Sequence, residues 1–182
     1  EQATREQASF KFIFEAVPVG ISLVALEEHA HLVNPAHERI TGVAAADSSL
    51  PGVFGRASHP DDYRRQMDLA QPFIRGEVDH YSVEKRYLHP DGGVVWAVLT
   101  SRKFTDPATG IQQAVTTLVD ITEQKKSEAR LANSLSLLHA TLESTADGIL
   151  VVNSQGQMTT FNRKFTEMWR IPPEIIASRS DE

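Results

Sequence analysis

The stretch "FEAVPVGISLVA" at residues 14–25 is echoed by "LESTADGILVVN" at residues 142–153, a gapless offset of 128 residues. At that offset Glu15 pairs with Glu143, Gly20 with Gly148, Ile21 with Ile149, Leu23 with Val151 and Asn34 with Asn162. Apolar character is kept at Phe14/Leu142, Val33/Phe161 and Ile40/Met168, and is lost at Ile13/Thr141. A chain that restarts in register builds one supersecondary unit twice. The first copy reads as a strand "GISLVAL", a turn "EEH", a strand "AHLVN" and a helix that Asn34 caps with Pro35 behind it. The second copy repeats that order with "GILVVN", "SQGQ", "MTTFN" and a helix from Asn162.

Only the first copy continues. "HPDDYRRQMDLAQPFIR", residues 59–75, starts a helix at Pro60, with Asp61 and Asp62 in the first turn, where carboxylates meet the positive helix end. "HYSVEKRYLHPDGGVVWAVLTSRKF" is two β-rich runs around a "PDGG" hairpin turn, and "IQQAVTTLVDI" follows the "TDPATG" loop as another. The order predicts an α+β fold: a five-stranded antiparallel sheet with helices on one face. Residues 1–18 form an N-terminal amphipathic helix, with Phe10, Ile13, Phe14 and Val17 on one stripe that covers either its own sheet or a partner's.

The sequence "DITEQKKSEARLANSLSLLHATLES" has neither Gly nor Pro and predicts one helix. Leu131, Leu135, Leu138 and Leu142 step by 4, 3 and 4, the seam spacing of a coiled coil, which predicts a homodimer.

Eighteen basic against 24 acidic residues leave a net charge of −6, the wrong sign for gripping nucleic acid. No apolar run reaches membrane-span length and no signal-peptide layout opens the sequence, so no direct membrane contact and a cytoplasmic location are expected. Without cysteine there is no disulfide, thiolate nucleophile or Cys-ligated metal. His139 lies on the predicted connector helix, as a phosphoacceptor would, but Ala140, Thr141 and Leu142 replace the acidic residue and proline of a histidine-kinase motif. His59, Asp61 and Asp62 read as a helix start rather than a metal site. No phosphate loop or nucleophile elbow is present, and the expectation is a segment that is not itself an enzyme.

The Asn-capped helix after the second strand, "HPDD", the "EKR…DGGVVW" hairpin and the closing "DITEQKKSEARL", in this order, resemble the PAS sensory-domain family with its C-terminal PAC motif. The resemblance implies a PAS/PAC sensor domain over 19–121, a signalling helix over 122–143 and the first part of a second PAS domain over 144–182. It implies a piece of a longer, bacterial-type signalling protein with an output domain elsewhere, such as a histidine kinase or cyclic-dinucleotide enzyme. Two rival readings stand beside it: the sensory part of such a kinase or cyclic-dinucleotide enzyme with a bound cofactor, and a pure dimerisation and interaction module with no ligand. Asp120, Ile121 and Thr122 match the family's Asp-Ile-Thr, where the last strand hands over to the signalling helix. Register taken from flavin-binding photosensory members puts Val83, Tyr87, Ala97, Leu99, Thr116 and Leu118 toward a ligand cavity, and Glu84, Arg86, Trp96 and Val98 on the opposite face. Tyr87, Ala97 and Leu118 stand where those members carry flavin-reading amides, and Met67 stands where haem sensors carry the axial histidine. No cofactor is therefore predicted, neither haem nor flavin, and the small-molecule ligand is left unidentified.

Overall fold

The computed structural model describes residues 2–25, 31–107 and 110–171. The "EEH" turn, part of the "TDPATG" loop and the last eleven residues lie outside the described residues. The elements run α1 (Gln2–Ala16), β1 (Gly20–Ala25), β2 (His31–Val33), α2 (Pro35–Thr41), α3 (Val53–Arg56), α4 (Pro60–Ile74), β3 (His80–Leu88), β4 (Val94–Thr105), β5 (Gln112–Asp120), α5 (Thr122–Ser144), β6 (Leu150–Val152), β7 (Met158–Phe161) and α6 (Arg163–Met168). They divide into two compact units, residues 1–125 and 126–182.

In the first unit the five strands pair antiparallel in the order β2-β1-β5-β4-β3. The β3–β4 hairpin turns where the His89 amide donates to the Gly93 carbonyl, with Gly92 at φ 87°, a left-handed angle that suits glycine. Burial alternates along β3 and β4 because successive side chains face opposite sides of a strand. The buried side joins Val83, Tyr87, Ala97, Leu99 and Leu118 with Ile40 of α2 into one apolar core.

Asn34 does more than cap α2. Its Oδ1 accepts from the amides of His37 and Ile21, at 2.9 and 2.8 Å, and its Nδ2 donates to the carbonyls of Phe14 and Val19, both at 2.9 Å. One fully buried amide thus ties the end of α1 to β1 and α2 with all four of its hydrogen-bonding positions filled. In the second unit Asn162 does the same at the same offset. It accepts from Phe165 and Ile149 and donates to Leu142 and Asp147, adding the Thr145 hydroxyl. Glycine is required beside both locks: a Cβ on Gly20 would lie 3.0 Å from the His37 Cα, and one on Gly148 would lie 2.9 Å from the Phe165 Cα. The repeat seen in the sequence is therefore a repeat of one hydrogen-bonded junction.

The N-terminal helix buries one residue of its expected stripe, Phe14. Phe14 is buried and stacked by Phe10, but Phe10, Phe12 and Ile13 are exposed, and α1 packs beside α2. Phe10 and Phe14 with Leu32, Val33 and Pro35 border a groove of about 310 Å³ at the β2 edge. On the outer sheet face Val119 is exposed, and cations lie over Trp96, the Arg86 guanidinium 5.2 Å and the Lys125 ammonium 5.5 Å from the ring centroid.

Candidate functional site

Between α2, α3, α4 and the sheet lies a cavity of about 110 Å³, lined by His37, Phe54, Gln66, Tyr81, Lys85, Tyr87, Leu99, Ser101 and Thr116. Three of the residues expected inward from the family register, Tyr87, Leu99 and Thr116, line it. Val83, Ala97 and Leu118 are buried in the adjoining core, and Met67 is half-buried on α4 and not among the lining residues.

The polar wall was missed by the sequence reading. Lys85 is only 1 % exposed, and its ammonium donates to the Ser58 hydroxyl at 2.6 Å and to Gln66 Oε1, and sits 4.5 Å from the centre of the Tyr87 ring. Gln66 in turn donates to the Tyr81 hydroxyl at 3.2 Å, and the Ser101 and Thr116 hydroxyls share a 2.6 Å hydrogen bond. The signal for Lys85 was available: strand parity runs 83, 85, 87 on one face, and Ser101 follows 97 and 99 in the same way.

Burial holds the Lys85 ammonium down to about 8 from its ordinary 10.5, with the charge of Asp62 partly opposing the shift. Asp62 is engaged elsewhere. Its carboxylate accepts from the Arg86 Nε at 2.7 Å, a terminal nitrogen of the same guanidinium at 2.9 Å and the Arg86 amide at 2.8 Å. The Arg86 hydrogen bonds hold the Asp62 carboxyl down to about 2 against the opposing effect of burial. The first turn of α4 is thus an ion-pair anchor onto β3, where only a favourable helix end was expected. His59 supplies the N-cap, its Nδ1 accepting from the Asp61 amide at 3.3 Å.

Asp120, Ile121 and Thr122 join the sheet to α5. The Asp120 carboxylate accepts from the Thr122 amide at 2.8 Å, capping the helix start. The Thr122 hydroxyl accepts from the Trp96 amide at 3.0 Å, and the Ile121 amide donates to the Trp96 carbonyl at 2.9 Å, with Ile121 buried. One turn later Lys125 pairs with Glu84 at 2.7 Å. Glu84 and Arg86 flank Lys85 on β3, so the strand that lines the cavity with Tyr81, Lys85 and Tyr87 also reaches α5 through Glu84 and the Trp96 ring through Arg86. Along α5, Leu131, Leu135 and Leu138 are exposed and Leu142 is half-buried.

Family comparison agrees with this architecture. A "PAS fold" model matches residues 31–118 and a "PAS domain" model matches residues 136–182. The chain is 28 % identical over 179 residues to the probable diguanylate cyclase DgcE of Escherichia coli (strain K12), covering 94 % of this chain and 16 % of that protein. It is 32 % identical over 131 residues to the sensor histidine kinase TmoS of Ectopseudomonas mendocina, covering 70 % of this chain and 13 % of that protein. A crystal structure of a sensory box histidine kinase/response regulator from Burkholderia thailandensis E264 superposes with a TM-score of 0.52 at 22 % identity, over 72 % of this chain and 98 % of that one, a likeness of fold. With a five-stranded antiparallel sheet carrying its helices, a buried polar cavity and two matches that together take in both copies of the repeat, the chain belongs to the PAS family.

Proposed function

We propose that the chain is the sensing and relaying part of a larger signalling protein, with the first domain as receiver and α5 as the output lever. The observation that carries this reading is the pair of adjacent β3 residues that face opposite ways. Lys85 forms part of the cavity wall, while its neighbours face outward, Arg86 over Trp96 of β4 and Glu84 to Lys125 in the first turn of α5. A change in what Lys85 bonds shifts β3 by fractions of an ångström, and the rigid hydrogen bonds from Trp96 to Ile121 and Thr122 carry that shift into the helix. The chain spans about a sixth or less of the relatives it matches, so an output of the histidine-kinase or diguanylate-cyclase kind belongs to the proposal. Catalysis is assigned to that output and not to residues 1–171. A homodimer through Leu131, Leu135, Leu138 and Leu142 is part of the same reading, supported by exposed leucines on a 23-residue helix. A ligand smaller than haem or flavin is favoured by a cavity of about 110 Å³ and by Tyr87, Ala97 and Leu118 in place of amides.

Hydrogen exchange tests the relay. Lys85→Met is expected to change protection at residues 120–130 as well as on β3. A change confined to β3 and α4 would remove α5 as the lever.

A further inference from the structure

Lys85 is a buried cation without a counterion in contact. Its ammonium meets two neutral oxygens and one aromatic face, and among the described residues no carboxylate is within ion-pairing distance of it. The nearest carboxylate that acts on it, Asp62, spends both oxygens on Arg86. A charge taken out of water is costly unless it is paired, and that cost is out of place in a merely structural core. The cavity beside it has two characters. Its polar lining includes the Lys85 ammonium, the Tyr81 hydroxyl and the Ser101–Thr116 pair, in which only one hydroxyl proton is used between the two oxygens. The rest of the lining includes the rings of Phe54 and Tyr87 and the side chain of Leu99. The volume accommodates roughly three or four groups the size of a water molecule.

We propose that this cavity binds a small monocarboxylate, its carboxylate against the Lys85 ammonium and the Tyr81 hydroxyl and its short carbon chain against Phe54 and Leu99. The assignment rests on the first domain being the receiver and supplies the chemical class of what it receives. A single ammonium matches a single negative charge. Lys85 is the one lysine or arginine among the lining residues, so a dianion would bring a second charge that no other lysine or arginine there faces, and an uncharged molecule would leave Lys85 as it is. The site also explains why the cation lies on the strand that touches α5: neutralising it alters the β3 residue between Glu84, which pairs with Lys125 of α5, and Arg86, which lies over Trp96.

The test is calorimetric titration of the purified chain with sodium acetate, propionate and butyrate, with propionamide as the uncharged counterpart of propionate. Saturable binding of at least one carboxylate is expected, with propionamide weaker by more than about tenfold. Lys85→Met, which keeps an unbranched apolar stem in the core, is expected to lose that binding by a similar factor or more. Tyr81→Phe, which removes one hydroxyl and leaves the ring, is expected to weaken it severalfold in a folded protein. No saturable binding of any of the three, binding of propionamide equal to propionate, or unchanged binding in both variants would overturn the site. Carboxylate binding that leaves exchange at residues 120–130 untouched would keep the site and remove the relay instead.

Discussion

The Thr122 hydroxyl accepts a 3.0 Å hydrogen bond from the Trp96 amide, so the first residue of α5 is fastened to β4 by its side chain as well as through the chain. Thr122→Val keeps the shape and removes the acceptor. The expected loss of domain stability is about 1 kcal/mol, read by chemical denaturation, with faster exchange of the Trp96 amide. In the same background Lys85→Met is expected to lose most of its effect on residues 123–130. Additive effects of the two substitutions would show that the Trp96–Thr122 bond plays no part in coupling.

Buried Lys85 carries a stability cost at neutral pH. Its folded value of about 8 lies below the ordinary 10.5, so the unfolded chain holds the proton more tightly and stability from this group rises as pH climbs from about 8 to about 10.5. Lys85→Met is expected to raise stability in the ligand-free protein at pH 7 by on the order of 2 kcal/mol, a gain that shrinks across that interval. A variant less stable than the parent at pH 7 would mean that the hydrogen bonds to Ser58 and Gln66 outweigh the burial cost.

Asp62 works with the opposite sign. Its folded value of about 2 lies below the ordinary 3.8, so its contribution is fully present above about pH 4 and is lost as pH falls toward 2. Asp62→Asn is expected to cost on the order of 2 kcal/mol at pH 7, and the two stability curves should converge in acid. Parallel curves down to pH 2 would show that the Arg86 pairing contributes nothing net.

Asn34→Ala would remove four side-chain hydrogen bonds at the junction of α1, β1 and α2, for an expected loss of about 3 kcal/mol in the first unit. Asn162→Ala is expected to leave the thermal midpoint of the first unit alone and to speed exchange at residues 142–166. The exposed Leu150, Val151 and Val152 in the two-stranded β6–β7 sheet are expected to exchange faster than β3–β5 even in the parent, since an isolated hairpin is marginal.

Leu135→Asp with Leu138→Asp places carboxylates on the proposed seam of α5. The parent is expected to scatter light as a dimer and the double variant as a monomer. Equal masses would exclude this seam as the contact.

Much of this architecture was legible from residue order. The offset of 128, the Asn-Pro helix start and the Asp-Gly hairpin turn are local signals, and each element they imply formed. The cavity was legible only by half. Parity fixes which face Val83, Tyr87 and Leu99 occupy, and would equally have fixed Lys85, but a lysine reads as a surface residue until its partners are known. Those partners, Ser58 and Gln66, come from 27 and 19 residues away, a distance that no periodicity spans. The ion pair of Asp62 with Arg86 was hidden for the same reason: the first turn of α4 already gave its carboxylate a sufficient local role. The fate of α1 was not legible, because a stripe of phenylalanines says that something is covered and not what covers it.

The central claim, that the state of the cavity is passed to α5, is tested most directly by a distance. The chain has no cysteine, so Asp68→Cys on α4 and Ala132→Cys on α5 give two unique spin-label sites. Labels mixed with excess unlabelled protein report the distance within one chain. The account predicts that Lys85→Met shifts that distance distribution, and that saturating the cavity with the tightest of the three carboxylates shifts it in the parent. Superimposable distributions in all these states would contradict it.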